Sequence, residues 1–291
     1  MNSIVLFLAF FGTVVATGYF VINLNSPVHH LSIVTTFSLP KIQRAIRTSE
    51  TSGWAATNDT IYRWIKENNS VSFEKELEMG TRIAYFTVDE PELFICSGTN
   101  VYRYHTKSKL FTHLLSKVGY TAHPLRSKQA VSIPYDENRV LNCKTMTLSH
   151  DKQHLYVGDE YNYESFIWKL DLKPSQCLKP VARGFYNIAH LLDTEKGLWI
   201  GEKKTLSRIK NRIIHSVTFP ALITDINYQN QSVWVITQDY DQEVRLLQFR
   251  ASNLTKTFDR HYGHRMLSRS TLYINDTSKC FTSHRSTICT H

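Results

Sequence analysis

One short pattern recurs along the chain and constrains its fold more than any other feature. It runs as an apolar strand, a polar turn, a second strand with an aromatic near its start, another turn and a third strand of alternating character. The second strands read Gly53-Trp54-Ala55-Ala56, Leu93-Phe94-Ile95-Cys96, Leu155-Tyr156-Val157-Gly158, Leu198-Trp199-Ile200-Gly201, Val233-Trp234-Val235-Ile236 and Leu272-Tyr273-Ile274. Their aromatic positions, 54, 94, 156, 199, 234 and 273, are spaced by 40, 62, 43, 35 and 39 residues. Spacings of about forty residues mark stacked supersecondary units. The second unit carries the surplus, between about Lys117 and Val140.

Third strands follow at similar offsets: Ile61-Tyr62-Arg63-Trp64, Val101-Tyr102-Arg103-Tyr104, Ile167-Trp168-Lys169-Leu170, Leu206-Ser207-Arg208-Ile209 and Val244-Arg245-Leu246-Leu247. A cation among apolar neighbours at a period of two puts one face against a neighbouring sheet, and no helical spacing is sustained, so almost no helix is expected. The fold class is therefore all-β. It reads as a β-propeller of six blades, each a three- to four-stranded antiparallel sheet, with seven as the other count, because radial stacking buries both faces of every unit. A β-sandwich is the rival, but sandwiches rarely repeat one signature so often. The run Leu31 to Phe37 precedes the first unit and is expected to supply the outer strand of the last blade, near Leu272 to Ile274, closing the ring.

Composition agrees with one globular domain. Of 291 residues, 42% are hydrophobic and 20% charged, which excludes disorder, collagen and a coiled coil. Fifteen Phe, fifteen Tyr and five Trp supply large side chains for packing between sheets. Residues Ile4 to Ile22 carry no charge and include small residues at Ala16, Thr17 and Gly18, which reads as a signal peptide over 1–18, with a signal anchor to about 22 as the alternative. Either reading exports a single domain spanning 30–291, and only a retained anchor would attach it to a membrane. Five N-x-[ST] acceptors, Asn58, Asn68, Asn230, Asn253 and Asn275, fit a secreted glycoprotein. Five cysteines suggest two disulfides and one thiol left over. Cys96, inside an apolar run, reads as the buried thiol, leaving Cys143, Cys177, Cys280 and Cys289 as disulfide candidates with their connectivity open.

Several of these segments resemble the sema domains of semaphorins and plexins. Gly53 through Trp64 is similar to that family's first-blade signature, and Glu92 through Asn100 to its second-blade strand with cysteine, glycine and threonine. Ile133-Pro134-Tyr135-Asp136, followed by Leu155 to Gly158 and then Phe166-Ile167, resembles the stretch leading into the third blade. The resemblance covers about Ile42 to Leu170. The chain departs from it in length, in having Ile133 where the family has a cysteine, and in lacking a nearby partner for Cys96. What the resemblance implies is a recognition module that pairs with a plexin-like receptor ectodomain in cell-cell signalling, with homodimers allowed by analogy.

Catalytic signatures such as HExxH, a P-loop, GxSxG and CxxC are absent from the sequence. No catalytic residue, metal site or cofactor is therefore expected. His261, His264 and His284 read as solvent-exposed, and Asp159-Glu160 and Asp239 to Asp241 as polar turns.

Charge is more informative. The formal net charge is +9, and Leu93 to Tyr135 contains no acid while holding Arg103, Lys107, Lys109, Lys117, Arg126 and Lys128. Tyr120, Arg126 and Lys128 in the insertion, with Lys107 and Lys109, form the expected partner-binding set, since long loops on rigid sheets often carry recognition. Lys203, Lys204, Arg208, Lys210 and Arg212 lie in a second acid-free stretch and form an expected site for sulfated glycans. An exported chain leaves little role for nucleic acid. Three functions stay open: a receptor-binding module, a hydrolase or small-ligand binder using the central channel, and a basic glycan-binding protein. Channel polarity separates the first two, because convergent acids and histidines favour chemistry while an apolar plug favours recognition.

Overall fold

The computed structural model describes residues 32–34, 42–49, 51–67, 70–115, 140–161, 164–173, 178–211, 213–240, 244–262, 271–274, 279–282 and 287–290. Among these, every helix or strand element is a β-strand. The N-terminal segment 1–18 lies outside the described residues, as do Asn68, Asn275, Cys177 and His264. Among the described residues no helix is long and apolar enough to cross a membrane.

The first strand among the described residues is β1 (Ser32–Val34). Five four-stranded antiparallel sheets follow, each from one continuous stretch of chain. The first holds β2 (Arg44–Arg47), β3 (Ser52–Ala56), β4 (Thr60–Glu67) and β5 (Ser70–Glu78). The second holds β6 (Ile83–Asp89), β7 (Glu92–Ser97), β8 (Asn100–His105) and β9 (Leu110–Leu115). The third holds β10 (Cys143–Leu148), β11 (His154–Tyr161), β12 (Glu164–Asp171) and β13 (Leu178–Phe185). The fourth holds β14 (His190–Thr194), β15 (Gly197–Gly201), β16 (Thr205–Lys210) and β17 (Ile213–Thr218). The fifth holds β18 (Leu222–Gln229), β19 (Ser232–Gln238), β20 (Val244–Arg250) and β21 (Lys256–Tyr262).

The remaining strands, β22 (Thr271–Ile274), β23 (Lys279–Thr282) and β24 (Thr287–Thr290), join β1 in a closing sheet of order β1-β24-β23-β22. Ser32 to Val34 pairs antiparallel with Thr287 to Cys289, so the chain's two ends meet in one sheet, as the sequence suggested. The first strand of each sheet touches that of the next, from β2 through β6, β10, β14, β18 and β22 and back to β2. That circuit makes a β-propeller, built from five continuous sheets and one assembled from both ends. Every sheet has four strands, where the sequence left three or four open.

Two readings of the repeat are corrected. Tyr273 lies on β22, an innermost strand, and not on a second strand as its aromatic suggested. Both strand types are apolar, so without a following unit the pattern cannot rank them. Asp159, read as part of a polar turn, is buried within β11, where its carboxylate accepts from the Trp168 indole at 3.0 Å and the Asn142 amide at 2.9 Å.

The core is divided among the seams between sheets. Trp54, Ile61, Phe86, Leu93 and Ile95 pack at the first seam, and Phe94, Val101, Leu141, Met146 and Leu155 at the second. Ile167, Ile188, Leu198 and Ile200 fill the third, and Trp199, Leu206, Val233, Val235 and Phe249 the fourth. Each of these side chains contributes about 1.5–3 kcal/mol by leaving water, which is why the aromatic second strands recur.

The second seam is also covalent. Cys96 on β7 is bonded to Cys143 on β10 with 6.2 Å between their Cα atoms, which overturns the reading of Cys96 as a free buried thiol. Sequence distance concealed the pair, because 47 residues separate cysteines that neighbouring sheets bring side by side. Cys280 and Cys289 are register partners on β23 and β24. The disulfide fits an oxidising compartment such as the extracellular space.

Candidate functional site

Strand order gives the ring two ends. The turns joining second to third strands, and the links from one sheet to the next, lie at what we call the upper end. The turns joining first to second and third to fourth strands lie at the lower end.

Near the upper end, one polar or charged side chain comes from each of the five continuous sheets. Arg44, Tyr85, Thr145, His190 and Asp225 pair in register with Ala56, Cys96, Gly158, Gly201 and Ile236, the last residue of each second-strand repeat. They therefore hold one equivalent position around the axis. The register breaks just before three of them, between Ile83 and Tyr85, Cys143 and Thr145, and Ile223 and Asp225. Such bulges re-aim a side chain and concentrate beside functional sites. Small partners assist: a Cβ on Gly158 would come within 2.7 Å of the Thr145 methyl, and one on Gly201 within 3.1 Å of His190 Cβ.

The Arg44 guanidinium lies 3.6 Å from the centre of the Tyr85 ring, a cation–π contact. His190 Nδ1 stands 3.6 Å from Asp225 Oδ1, and it and Arg44 Nε are buried without a hydrogen-bond partner among the described residues. Burial and then the Arg44 charge lower the His190 pKa to about 3, so its imidazole is neutral at physiological pH. Burial also pushes the Tyr85 hydroxyl upward. One neutral imidazole, one carboxylate, one guanidinium and two hydroxyls can bind a small polar group. They lack the second acid that a glycosidase needs. Sequence reasoning missed this ring because its members share a register position but no residue type.

A second feature lies on the upper surface of the fourth and fifth sheets. Tyr186, in the link before β14, and Tyr240, after β19, are 54% and 80% exposed. Lys203 Nζ lies 5.3 Å from the Tyr186 ring centre and Lys204 Nζ 5.3 Å from that of Tyr240. The two lysines occupy the turn between β15 and β16, so the four side chains form a row bridging two sheets. Flat aromatic surface beside cations is the composition of binding hot spots.

The expected sites are redistributed. Lys203 and Lys204 sit at the upper end of β16 and Lys210 at its lower end, while Arg212 lies outside the described residues. Arg208 leaves the polyanion set altogether: it is 6% exposed and donates to the Ala251 and Ser252 carbonyls, the latter at 2.8 Å. It points along the strand's buried face, whereas Arg63, which pairs with Trp54 as Arg208 pairs with Trp199, is exposed. Lys107 and Lys109 occupy the lower-end turn between β8 and β9, and Lys109 pairs with Glu76. Tyr120, Arg126 and Lys128 lie outside the described residues, in a segment that leaves β9 at the upper end, so Lys107 and Lys109 belong to the opposite end from its anchor points. Asn58 is exposed at an upper-end turn, and Asn230 and Asn253 at lower-end turns.

No protein-family model matches the chain, and no curated protein does. Solved structures share the fold. A chain of a mitotic checkpoint complex aligns over 96% of this chain and 99% of its own, with a TM-score of 0.56 and 14% identity. A candidate 6-phosphogluconolactonase of Bacteroides fragilis aligns over 90% of both chains, with a TM-score of 0.53 and 12% identity. The computationally designed Ika8 protein aligns over 86% of this chain and 71% of its own, at 0.50 and 12%. At these identities the likeness concerns the fold alone.

Proposed function

We propose that this protein is a secreted or cell-surface recognition module whose upper end binds a receptor ectodomain. The observation that carries the reading is the row Tyr186, Lys203, Lys204 and Tyr240. Large aromatic surface held in water costs the free protein solvation that a partner would recover, and each ring already carries a cation placed for an acidic patch. Of the described acceptor positions, Asn58 is at the upper end but on the first sheet, and Asn230 and Asn253 are at the lower end, so none lies on the row. The sema-like motifs make a plexin-like ectodomain the first partner to try, in a signalling role.

Binding of the full exported chain to such an ectodomain should weaken about tenfold or more on Tyr186→Ala or Tyr240→Ala, as expected for anchor residues. No binding at micromolar concentration would reduce the sema likeness to shared architecture.

The axial ring favours a second reading, a small-ligand binder. Its polarity argues against an apolar plug, and its single carboxylate argues against glycoside hydrolysis. Arg44→Met and Asp225→Asn would abolish binding of a small polar solute in the channel and leave receptor binding intact.

A further inference from the structure

The lower end holds a groove of about 450 Å³ between the fourth and fifth sheets, lined by Lys196, Asn230, Gln231, Ser232, Arg250 and Ser252. We propose that it binds an anionic saccharide, one bearing a sulfate or phosphate ester.

Three turns build it. Lys196 belongs to the turn between β14 and β15, Asn230 and Gln231 to that between β18 and β19, and Ser252 to that between β20 and β21. Asn230 and Gln231 both have positive φ, 50° and 59°, the conformation of a tight two-residue hairpin, and they bring an amide side chain to the rim. Charge comes from both walls. Neither Lys196 nor Arg250 has an acidic side chain within ion-pair distance among the described residues. Glu195, beside Lys196 in sequence, accepts from the Tyr228 hydroxyl, which is the main influence holding its carboxyl low, with the Lys196 charge a lesser one.

Arg208 adds a buried positive charge behind the groove, because it is bonded to the carbonyls of Ala251 and Ser252 and, among the described residues, to no carboxylate. Lys210 adds a fourth cation nearby: a Cβ on Gly197 would lie 3.4 Å from Lys210 Cβ, which puts Lys210 beside the Lys196 turn.

Two features select a saccharide over a bare oxyanion. The volume far exceeds one sulfate, and the amides of Asn230 and Gln231 with the hydroxyls of Ser232 and Ser252 offer donors and acceptors that match ring hydroxyls. Sulfate and phosphate esters share this chemistry, and the probes must separate them. The site lies at the end opposite the tyrosine–lysine row, so its fate is independent of the receptor reading.

The test uses the full exported chain made without N-glycans, so that no sugar on Asn230 occupies the rim. A heparin-derived hexasaccharide, the same hexasaccharide desulfated, and mannose 6-phosphate are titrated calorimetrically. Binding of the sulfated or the phosphorylated probe, and not of the desulfated one, is expected. The double change Lys196→Glu and Arg250→Glu should weaken it about tenfold or more. Lys203→Glu with Lys204→Glu should leave it unchanged, and melting temperatures confirm that both variants fold. Equal binding of the desulfated probe, no binding of any probe, or loss in the Lys203 and Lys204 variant with retention in the groove variant would overturn the proposal.

Discussion

Arg208 holds Ser252 across the seam between the fourth and fifth sheets, its guanidinium donating at 2.8 Å to a carbonyl that no strand ladder serves. The same nitrogen donates to Ala251. The bond crosses 44 residues of chain, so it fastens two separate units. Arg208→Leu should lower stability by about 2 kcal/mol, because two carbonyls lose a charge-assisted donor. Urea unfolding measures it, and a midpoint equal to that of the native chain would remove the role.

The Cys96–Cys143 bond closes a loop whose ends are 47 residues apart, and closing such a loop restricts the unfolded chain. The chain-entropy model gives about 4 kcal/mol for that length. Cys96→Ser or Cys143→Ser should therefore lower the melting temperature strongly, and reduction of the native protein should do the same. If both treatments leave melting unchanged, the bond does not form in solution.

Much of the ring is legible in the sequence. Aromatic second strands at regular spacing reported a requirement that every unit shares, the filling of a seam between two sheets. The terminal strand Ser32 to Val34 was found the same way, since an isolated strand before the first unit needs an unpaired edge. What stayed hidden depended on neighbours rather than on pattern. The partner of Cys96 lies in the next sheet, and the repeat that exposes Arg63 opposite Trp54 does not reveal that Arg208 turns inward opposite Trp199. The axial ring hid for a related reason: Arg44, Tyr85, Thr145, His190 and Asp225 are linked by register and by bulges, neither of which leaves a residue signature.

Closure by β1 can be tested directly. Deleting residues 19–38 removes the strand that pairs with Thr287 to Cys289 and exposes the edge of β24. The melting temperature should fall and aggregation should rise, since an open edge is a template for other chains. An unchanged melting temperature would show that the ring closes without it.

Packing around the axis predicts that Gly158→Ala is costly. The added methyl would meet Thr145 Cγ2 at 2.7 Å, closer than carbon atoms settle, and Thr145 is wholly buried. Overpacking of this kind costs about 1–3 kcal/mol. Combining the change with Thr145→Ser, which removes the clashing methyl, should recover most of that loss in denaturant unfolding; a purely additive pair would place the strain elsewhere.

His190 gives the ring an acid dependence whose sign follows from its surroundings. Burial first, and the Arg44 charge second, bring its pKa from 6.5 to about 3 in the folded protein. Between those values the unfolded chain binds a proton that the folded chain does not, so stability falls as pH drops from about 6.5 toward 3. One such proton gives a slope of at most about 1.4 kcal/mol per pH unit. Asp193, whose carboxyl burial pushes upward, acts in the opposite direction over part of that range, so the native profile alone is ambiguous. The difference between native protein and His190→Gln isolates the histidine. The variant should lose less stability than the native chain between pH 6.5 and 4 in urea titrations, and parallel profiles would mean that the imidazole is hydrated and ordinary.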